Sequence, residues 1–420
     1  MLLNYKFKNF CSFKEEVEFS LLATEDKRAD FPENYFHGTA DVLKSAVIVG
    51  ENAGGKSNFI KSLQYLKKFF KDNQSVASNI EYLNDDYTKT KKKLRYCDTL
   101  QTFSLEVLIK NDIYAYDLNI DYLGIKYEKL SVQKKGKTQY IPIFIVERSE
   151  EDDLLKKTVL EKNSGEFNLF KLNFLVQLNP NYEQLKNFLQ SKPAQNDSIG
   201  LYLSKIALLN VPEAVNFSNW INNTLCFEFA PYSGYETSDE RLKKSDILKI
   251  ITDRRFIEIL KIIDSSIVEV KPDNSFPYKS TIIVRENSEG QIFERELQFD
   301  SAGLRDYFRW AIQIFKVIYE NKVLFADEMD RALNPVLSDK IVSLIHGIEH
   351  QGQFIFTTHN VLHLNLRKQM KEQIYFVTKD LSTLHSELYS LADFSDIDYD
   401  SEENIYEFYL RGVLGGIIRG

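Results

Sequence analysis

Cysteine is scarce in this chain. Cys11, Cys97 and Cys226 are odd in number and far apart along 420 residues, which excludes a disulfide framework and a zinc knuckle and fits a reducing cytosol. No run of eighteen apolar residues occurs, so no segment is expected to span a membrane. The opening MLLNYKFKNFCSFKEE puts Lys6 and Lys8 where a signal peptide needs an unbroken apolar stretch. These absences point to a cytoplasmic protein. A long coiled coil is missing too, because no heptad register persists for three or four repeats. Internal repeats and low-complexity tracts are likewise absent. Positive charge is not in excess: the net charge of −8 argues against a surface that coats nucleic acid without ATP or a partner, although a local basic groove remains compatible with it.

What is present reads as a folded chain. With 43% hydrophobic and 27% charged residues it has globular rather than disordered composition, and its length suffices for two or three compact units. LLNYKFKNF and EEVEFSLLA alternate as strands around the turn-like CSFK. SAVIVG is a short buried strand that runs into a glycine loop, and NFIKSLQYLKKFF places Phe59, Leu63, Leu66 and Phe70 at helical spacing. From Leu100 to Val146 alternating runs separated by KND and KKGK predict an antiparallel meander. From about Glu150 to Asp264 the pattern turns to short helical segments, YEQLKNFLQS and SDILKIITDRRFIEILKIID among them, broken by Pro193, Pro212 and Pro231. STIIVRE and IFERELQF return to strands. KVLFADE, QFIFTTHN and EQIYFVTKD then read as strands, with PVLSDKIVSLIHGI a helix between the first two. The tail from Asp393 to Glu407, seven acids and no base, reads as a solvated loop. An α/β chain is expected, in three parts: a first lobe 1–149, a helical insert 150–265 and a second lobe 266–420.

Gly50 to Ser57 spells Gly-x-x-x-x-Gly-Lys-Ser, the Walker A pattern of a P-loop. Glycines let successive N–H groups turn inward around phosphates, Lys56 brings positive charge to the β and γ phosphates, and Ser57 offers a hydroxyl to Mg²⁺. The helix that follows adds its positive end to the same anion. Eight residues match by chance often enough; a buried strand before them and an amphipathic helix after give the match its meaning. VLFADE supplies a Walker B counterpart: Asp327 to hold Mg²⁺ and Glu328 to orient and deprotonate the attacking water. His359 ends the next apolar strand, where it could bond the γ phosphate or simply face solvent. Ser301 and Gly303 open a strongly apolar helical stripe, Leu304, Tyr307, Phe308, Ala311, Ile312 and Phe315, most of it core. A serine there is a common helix cap, and its place in the motif order gives it more weight. The pairs His346/His350 and His359/His363 have helical metal spacing, but no carboxylate or cysteine completes either set.

The order Walker A, Ser-x-Gly, Walker B, His resembles the ABC-type ATPase heads, the P-loop NTPases that include SMC proteins and OLD-like ATPases. More narrowly the chain resembles AAA family ATPases of bacterial anti-phage and abortive-infection systems, of the RloA, AbiL and AriA type. Asn9-Phe10-Cys11-Ser12-Phe13 stands for their NFxSF, Gly50 to Asn58 for GxNxxGKSN, Thr358-His359-Asn360 for THN, and Tyr409-Leu410-Arg411-Gly412 with Gly415-Gly416 for their ending. The resemblance covers both ends of the chain and not the insert. It implies ATP and Mg²⁺ as cofactors. Asn52, Gly54, Gly55, Lys56, Ser57 and Asn58 bind the nucleotide from one subunit, Ser301 and Gly303 from a second copy, with Ser57 and Asp327 at the metal and Glu328 and His359 catalytic. Two of the departures from the pattern bear on turnover. Cys11 stands where such proteins usually carry Arg, and Leu304 where they carry Thr, which implies slow turnover.

Three functions follow. The first is an ATP-binding and hydrolysing switch that pairs head to tail, or assembles further, and controls a separately encoded effector, a Toprim-type nuclease, in answer to a phage trigger. The second is an OLD-like nuclease, for which Asp396, Asp398 and Asp400 offer an acidic cluster but too little chain follows His359 for a further domain. The third is an SMC-like DNA-binding ATPase, for which Lys89, Lys91, Lys92, Lys93 and Arg95 form a basic run that reads more simply as a solvated loop.

Overall fold

The computed structural model of the chain describes residues 1–24, 29–71, 82–84, 100–121, 124–149, 174–190, 200–229, 244–331, 333–394 and 405–410. Strands β1 (Leu2–Lys8) and β2 (Val17–Ser20) pair antiparallel, and a small hairpin, β3 (Tyr35–Phe36) with β4 (Val42–Leu43), leads to β5 (Ser45–Gly50). After the helix Lys56–Lys71 come β6 (Gln101–Ile109), β7 (Asp112–Asp121), β8 (Gly124–Gln133) and β9 (Ile141–Arg148), then β10 (Phe174–Leu178). With β1 and β2 they form one antiparallel sheet ordered β10-β9-β8-β7-β6-β1-β2, so the meander read from the sequence is present.

The helices Tyr202–Leu208 and Pro212–Thr224 lead to β11 (Leu225–Glu228), and the helices Lys244–Thr252 and Arg254–Leu260 to a three-stranded sheet of β12 (Ile267–Lys271), β13 (Ile282–Glu286) and β14 (Ile292–Glu296). The long helix Ala302–Glu320 follows, capped by Ser301 at its start and by Asn321 in the left-handed region at its end. Next come β15 (Val323–Ala326), the helix Pro335–Gly347, β16 (Gln353–Thr358), β17 (Ile374–Lys379), β18 (Ser386–Ser390) and the helix Ile405–Leu410. The central sheet runs β11-β15-β16-β5-β17-β18, parallel throughout except for β18. This is an α/β P-loop NTPase fold with an antiparallel β-subdomain.

Both faces of the central sheet are covered, which is why its strands are continuous apolar runs. Ala46, Ile48, Phe325 and Ile355 face the core shared with the antiparallel sheet, while Val47, Val49, Leu324 and Phe354 face the core under the helix Ala302–Glu320. The P-loop helix lies between the two sheets: the Phe59 ring is 5.1 Å from Phe19 of β2 and 6.2 Å from Phe325 of β15.

The segment read as helical carries strands as well. β10 extends the antiparallel sheet and β11 pairs in parallel with β15. Four residues, LCFE, are too few for a period to show, and their partner lies about a hundred residues on. SDILKIITDRRFIEILKIID breaks into two helices because the Asp253 side chain accepts the Arg255 N–H at 2.9 Å and starts a second one. The basic run at Lys89 to Arg95, the acids Asp396, Asp398 and Asp400, Pro193, Pro231, Arg411, Gly412, Gly415 and Gly416 lie outside the described residues. Among the described residues, no helix is long and apolar enough to cross a membrane.

Candidate nucleotide site

Three neighbouring parallel strands end at one edge of the central sheet. Thr358 of β16 pairs with Val49 of β5, and Phe356 pairs with Ala326 of β15. Gly50, Asp327 and His359 therefore emerge together at the carboxyl ends of the strands, where open α/β sheets bind their ligands.

The glycine loop is pressed against β17 and β18. A Cβ on Gly50 would stand 2.3 Å from the Val377 carbonyl oxygen, and one on Gly55, at φ +126°, would stand 2.5 Å from Ser386 Oγ. Neither position accepts a side chain. Ser386 Oγ donates to Gly54 O at 2.5 Å, the Ser386 N–H donates to Ser12 O at 2.7 Å, and Asn58 Nδ2 donates to Ser12 Oγ at 2.9 Å. Ser12 and Ser386 thus brace the loop from two distant parts of the chain. Asn52 and Ala53 are exposed at its mouth; Gly54, Gly55, Lys56 and Asn58 are buried, and Ser57 is half-buried in the first helical turn.

Lys56 Nζ donates to Gly50 O at 2.7 Å and Glu51 O at 2.9 Å. Burial pushes its ammonium down to about 8, against the opposing pull of Asp327, Glu328, Asp330 and Glu51. One ammonium among four carboxylates leaves the pocket negative, a donor set that fits a hard divalent cation arriving with a polyphosphate. Ser57 and Asp327 are the residues that could hold Mg²⁺, whose charge would offset that on the phosphate oxygens. Thr357 Oγ1 donates to Asp327 Oδ1 at 2.7 Å and accepts the Glu328 N–H at 2.8 Å. Glu328 itself has φ 52°, an uncommon backbone conformation for a non-glycine residue. Asp330 Oδ2 accepts the His359 N–H at 3.0 Å, while Asp330 Oδ1 is buried without a hydrogen-bond partner among the described residues. His359 is exposed.

Thr357, Asp330, Ser12 and Ser386 were not singled out as site residues by motif reading. The one local signal was a Thr-Thr pair closing an otherwise apolar strand, together with Ser12 inside NFxSF. Cys11, where the sequence resemblance leads one to expect Arg, is buried at φ 49°, its N–H donating to Tyr82 O at 2.6 Å; burial pushes its thiol up to about 12, so it brings no charge.

Ser301 and Gly303 are held elsewhere. Arg285 pairs with Asp264 at 2.8 Å and Asp300 at 2.7 Å, Asp300 Oδ1 accepts the Ser301 N–H at 2.9 Å, and Ser301 Oγ accepts the Leu304 N–H at 3.2 Å. Ser301, Ala302 and Gly303 are exposed, a Cβ on Gly303 would meet nothing within 4 Å, and the Leu304 side chain turns into the core. Ser301 borders a cavity of about 580 Å³ whose lining, among the described residues, includes none of the P-loop or Walker B residues. Within the chain, then, Gly50 to Asn58 and Asp327 to His359 come together, and Ser301 with Gly303 stands apart. The histidine pairs are engaged otherwise: His346 Nε2 is 2.7 Å from Ser45 Oγ, His350 Nε2 is 2.9 Å from Ile345 O and His363 Nε2 is 2.9 Å from Ser338 Oγ.

The family model described as "AAA domain, putative AbiEii toxin, Type IV TA system" matches residues 45–365, from β5 to just beyond His359. No curated protein matches the sequence. Solved structures similar to the chain include an SMC head domain from Thermotoga maritima, at 12% identity and TM-score 0.42, covering 93% of this chain and 98% of that one. Another is an Smc head domain with an extended coiled coil bound to the C-terminal domain of ScpA, derived from Pyrococcus furiosus. It is 14% identical at TM-score 0.34, covering 93% and 96%.

Proposed function

We propose that this chain, which belongs to the AAA-domain family matched over residues 45–365, is an ATP-binding and hydrolysing switch subunit that pairs head to tail around ATP. The observation that carries this reading is the split of the motifs. Walker A and Walker B residues meet at one sheet edge, while the capped, exposed start at Ser301 and Gly303 borders a cavity that none of them lines. A second copy presenting Ser301 and Gly303 to the first copy's P-loop completes each pocket, because a helix N-terminus offers free N–H groups to phosphate.

In such a pocket the loop N–H groups and Lys56 bind the phosphates, Asn52 lines the approach, Asn58 acts from behind the loop through Ser12 rather than at its mouth, and Ser57 and Asp327 would hold Mg²⁺. Thr357 fixes the Asp327 carboxylate and the Glu328 backbone, so Glu328 is aimed at the attacking water and takes its proton. His359, its backbone held by Asp330, reaches the γ phosphate. Hydrolysis removes the group that both subunits grip, and the pair opens. The family's description supports a toxin–antitoxin setting, and the resemblance to anti-phage ATPases supports control of a separately encoded effector, a Toprim-type nuclease, in answer to a phage trigger.

The test is mass by light scattering with and without ATP and Mg²⁺. Glu328→Gln binds without hydrolysing and runs as an ATP-dependent dimer, whereas Lys56→Ala does not dimerise with ATP. A monomeric Glu328→Gln protein at saturating ATP would falsify the paired site. Co-purification with the product of the neighbouring gene tests the effector.

A further inference from the structure

Away from the glycine loop, a cavity of about 350 Å³ opens between the end of the helix Lys56–Lys71, the end of the helix Pro212–Thr224, β11 and the helix Ala302–Glu320. Its wall carries Lys67, Lys71 and Lys316, with the carboxamides of Asn222, Asn223 and Gln313 among them and no carboxylate among the described residues. Part of this charge has a local use. Lys67 Nζ donates to Leu225 O at 2.7 Å, which satisfies a carbonyl at the end of the helix Pro212–Thr224.

Lys316 is different. It is 8% exposed, and its ammonium donates to Gln313 Oε1 at 3.2 Å, a neutral acceptor. Gln313 Nε2 in turn donates to Glu228 Oε2 at 3.0 Å, so an amide is interposed between that ammonium and the carboxylate. A buried ammonium is poorly stabilised by a lone amide and well stabilised by an anion at hydrogen-bond distance. The second observation is Asn222, whose Oδ1 is buried with no hydrogen-bond partner among the described residues. Rotating that carboxamide puts its NH₂ group in the same place as a donor.

We propose that this cleft binds a small multivalent phosphate anion at a site separate from the P-loop. Lys316, Lys71 and Lys67 supply the charge, and the turned Asn222 carboxamide supplies a neutral donor. The cavity is of small-ligand size, near the lower end of the range for such pockets, and its concave shape suits a compact anion better than a duplex backbone. It also adjoins Walker B: Glu228, at the far end of the Lys316–Gln313 relay, accepts the Asp327 N–H on its carbonyl oxygen at 2.8 Å. An anion that draws Lys316 from Gln313 therefore acts two hydrogen bonds from the strand end that carries Asp327.

The experiment is calorimetric titration of pyrophosphate into the full chain carrying Lys56→Ala, which removes the P-loop as a competing site. Saturable one-site binding is expected. Lys71→Glu, at an exposed position at the end of its helix, weakens binding about ten-fold or more with the melting temperature checked alongside, and adding Lys316→Gln weakens it further. Absence of saturable binding in the Lys56→Ala protein, or unchanged affinity in Lys71→Glu, overturns the proposal. A short DNA duplex that binds more tightly than pyrophosphate with the same lysine dependence overturns it in favour of nucleic acid. ATP binding by the Lys71→Glu/Lys316→Gln protein, which keeps Lys56 and disables the cleft, reports on the P-loop, so the two readings fail independently.

Discussion

Thr357 serves both Walker B acids at once: its hydroxyl donates to Asp327 Oδ1 at 2.7 Å and accepts the Glu328 N–H at 2.8 Å. The residues are about thirty apart in sequence and meet because β15 and β16 are paired in parallel. Thr357→Val keeps the shape and removes both bonds. In steady-state assays kcat is expected to fall about 10- to 100-fold, the worth of a buried hydrogen bond to a charged group, while ATP affinity changes little. An unchanged kcat would show that Asp327 and Glu328 hold their positions without the hydroxyl.

Gly303 separates assembly from folding. A side chain there points into open space within the chain, so Gly303→Arg should leave the melting temperature within about 2 °C of the parent. In the proposed pair the same side chain fills the space of the partner's nucleotide. ATP-dependent dimers of Glu328→Gln should disappear when Gly303→Arg is added, as read by light scattering. Persistent dimers would place the contact surface elsewhere.

Lys56 gives nucleotide binding a pH dependence. Burial lowers its folded value from 10.5 to about 8, so without nucleotide the ammonium is present below pH 8 and lost above it. Phosphate binding requires the charged form. ATP affinity should therefore hold steady from pH 6.5 to 7.5 and fall above pH 8, by at most about ten-fold per unit. Binding above pH 8 should also take up protons, which calorimetry in two buffers of different ionisation enthalpy detects. Flat affinity between pH 7 and 9 would contradict this.

Glu128, buried in the antiparallel sheet, makes stability pH-dependent. Its carboxylate, buried on β8, accepts N–H groups from Tyr202 at 2.7 Å and Leu203 at 2.9 Å and the Tyr116 hydroxyl at 3.0 Å. Burial nevertheless raises it from 4.5 to about 7. A raised folded value means stability is fully present below pH 4.5 and lost as pH rises through about 7, at most about 3 kcal/mol from this group. Glu128→Gln, which keeps an acceptor without the charge, should gain on the parent in urea midpoint at pH 8 relative to pH 5. Parallel pH profiles for the two proteins would rule the effect out.

Legibility followed the range of the interaction. β5 and its helix were plain because SAVIVG is buried on both faces and the glycine spacing is contained in eight residues. The meander β6 to β9 was plain because each strand pairs with the next. β11 and β10 were missed inside a segment that reads as helical, since each is short and owes its existence to a strand elsewhere. Thr357 was visible as a residue and not as a role.

The sequence by itself determined the chemistry on offer: the phosphate loop, the acid pair at Asp327 and Glu328, and the capped helix start at Ser301. Each is set by backbone propensity and side-chain type within a few residues. Tertiary structure decided who meets whom. Parallel pairing of β5, β16 and β15 gathers Lys56, Asp327, Glu328 and His359 at one edge, and β18 brings Ser386 to brace the loop. The same packing leaves Ser301 and Gly303 exposed, Ser301 at the wall of a cavity apart from the P-loop, and buries Lys316 against an amide. Distances between residues far apart in the chain are fixed by sheet order and core packing, which no local pattern encodes.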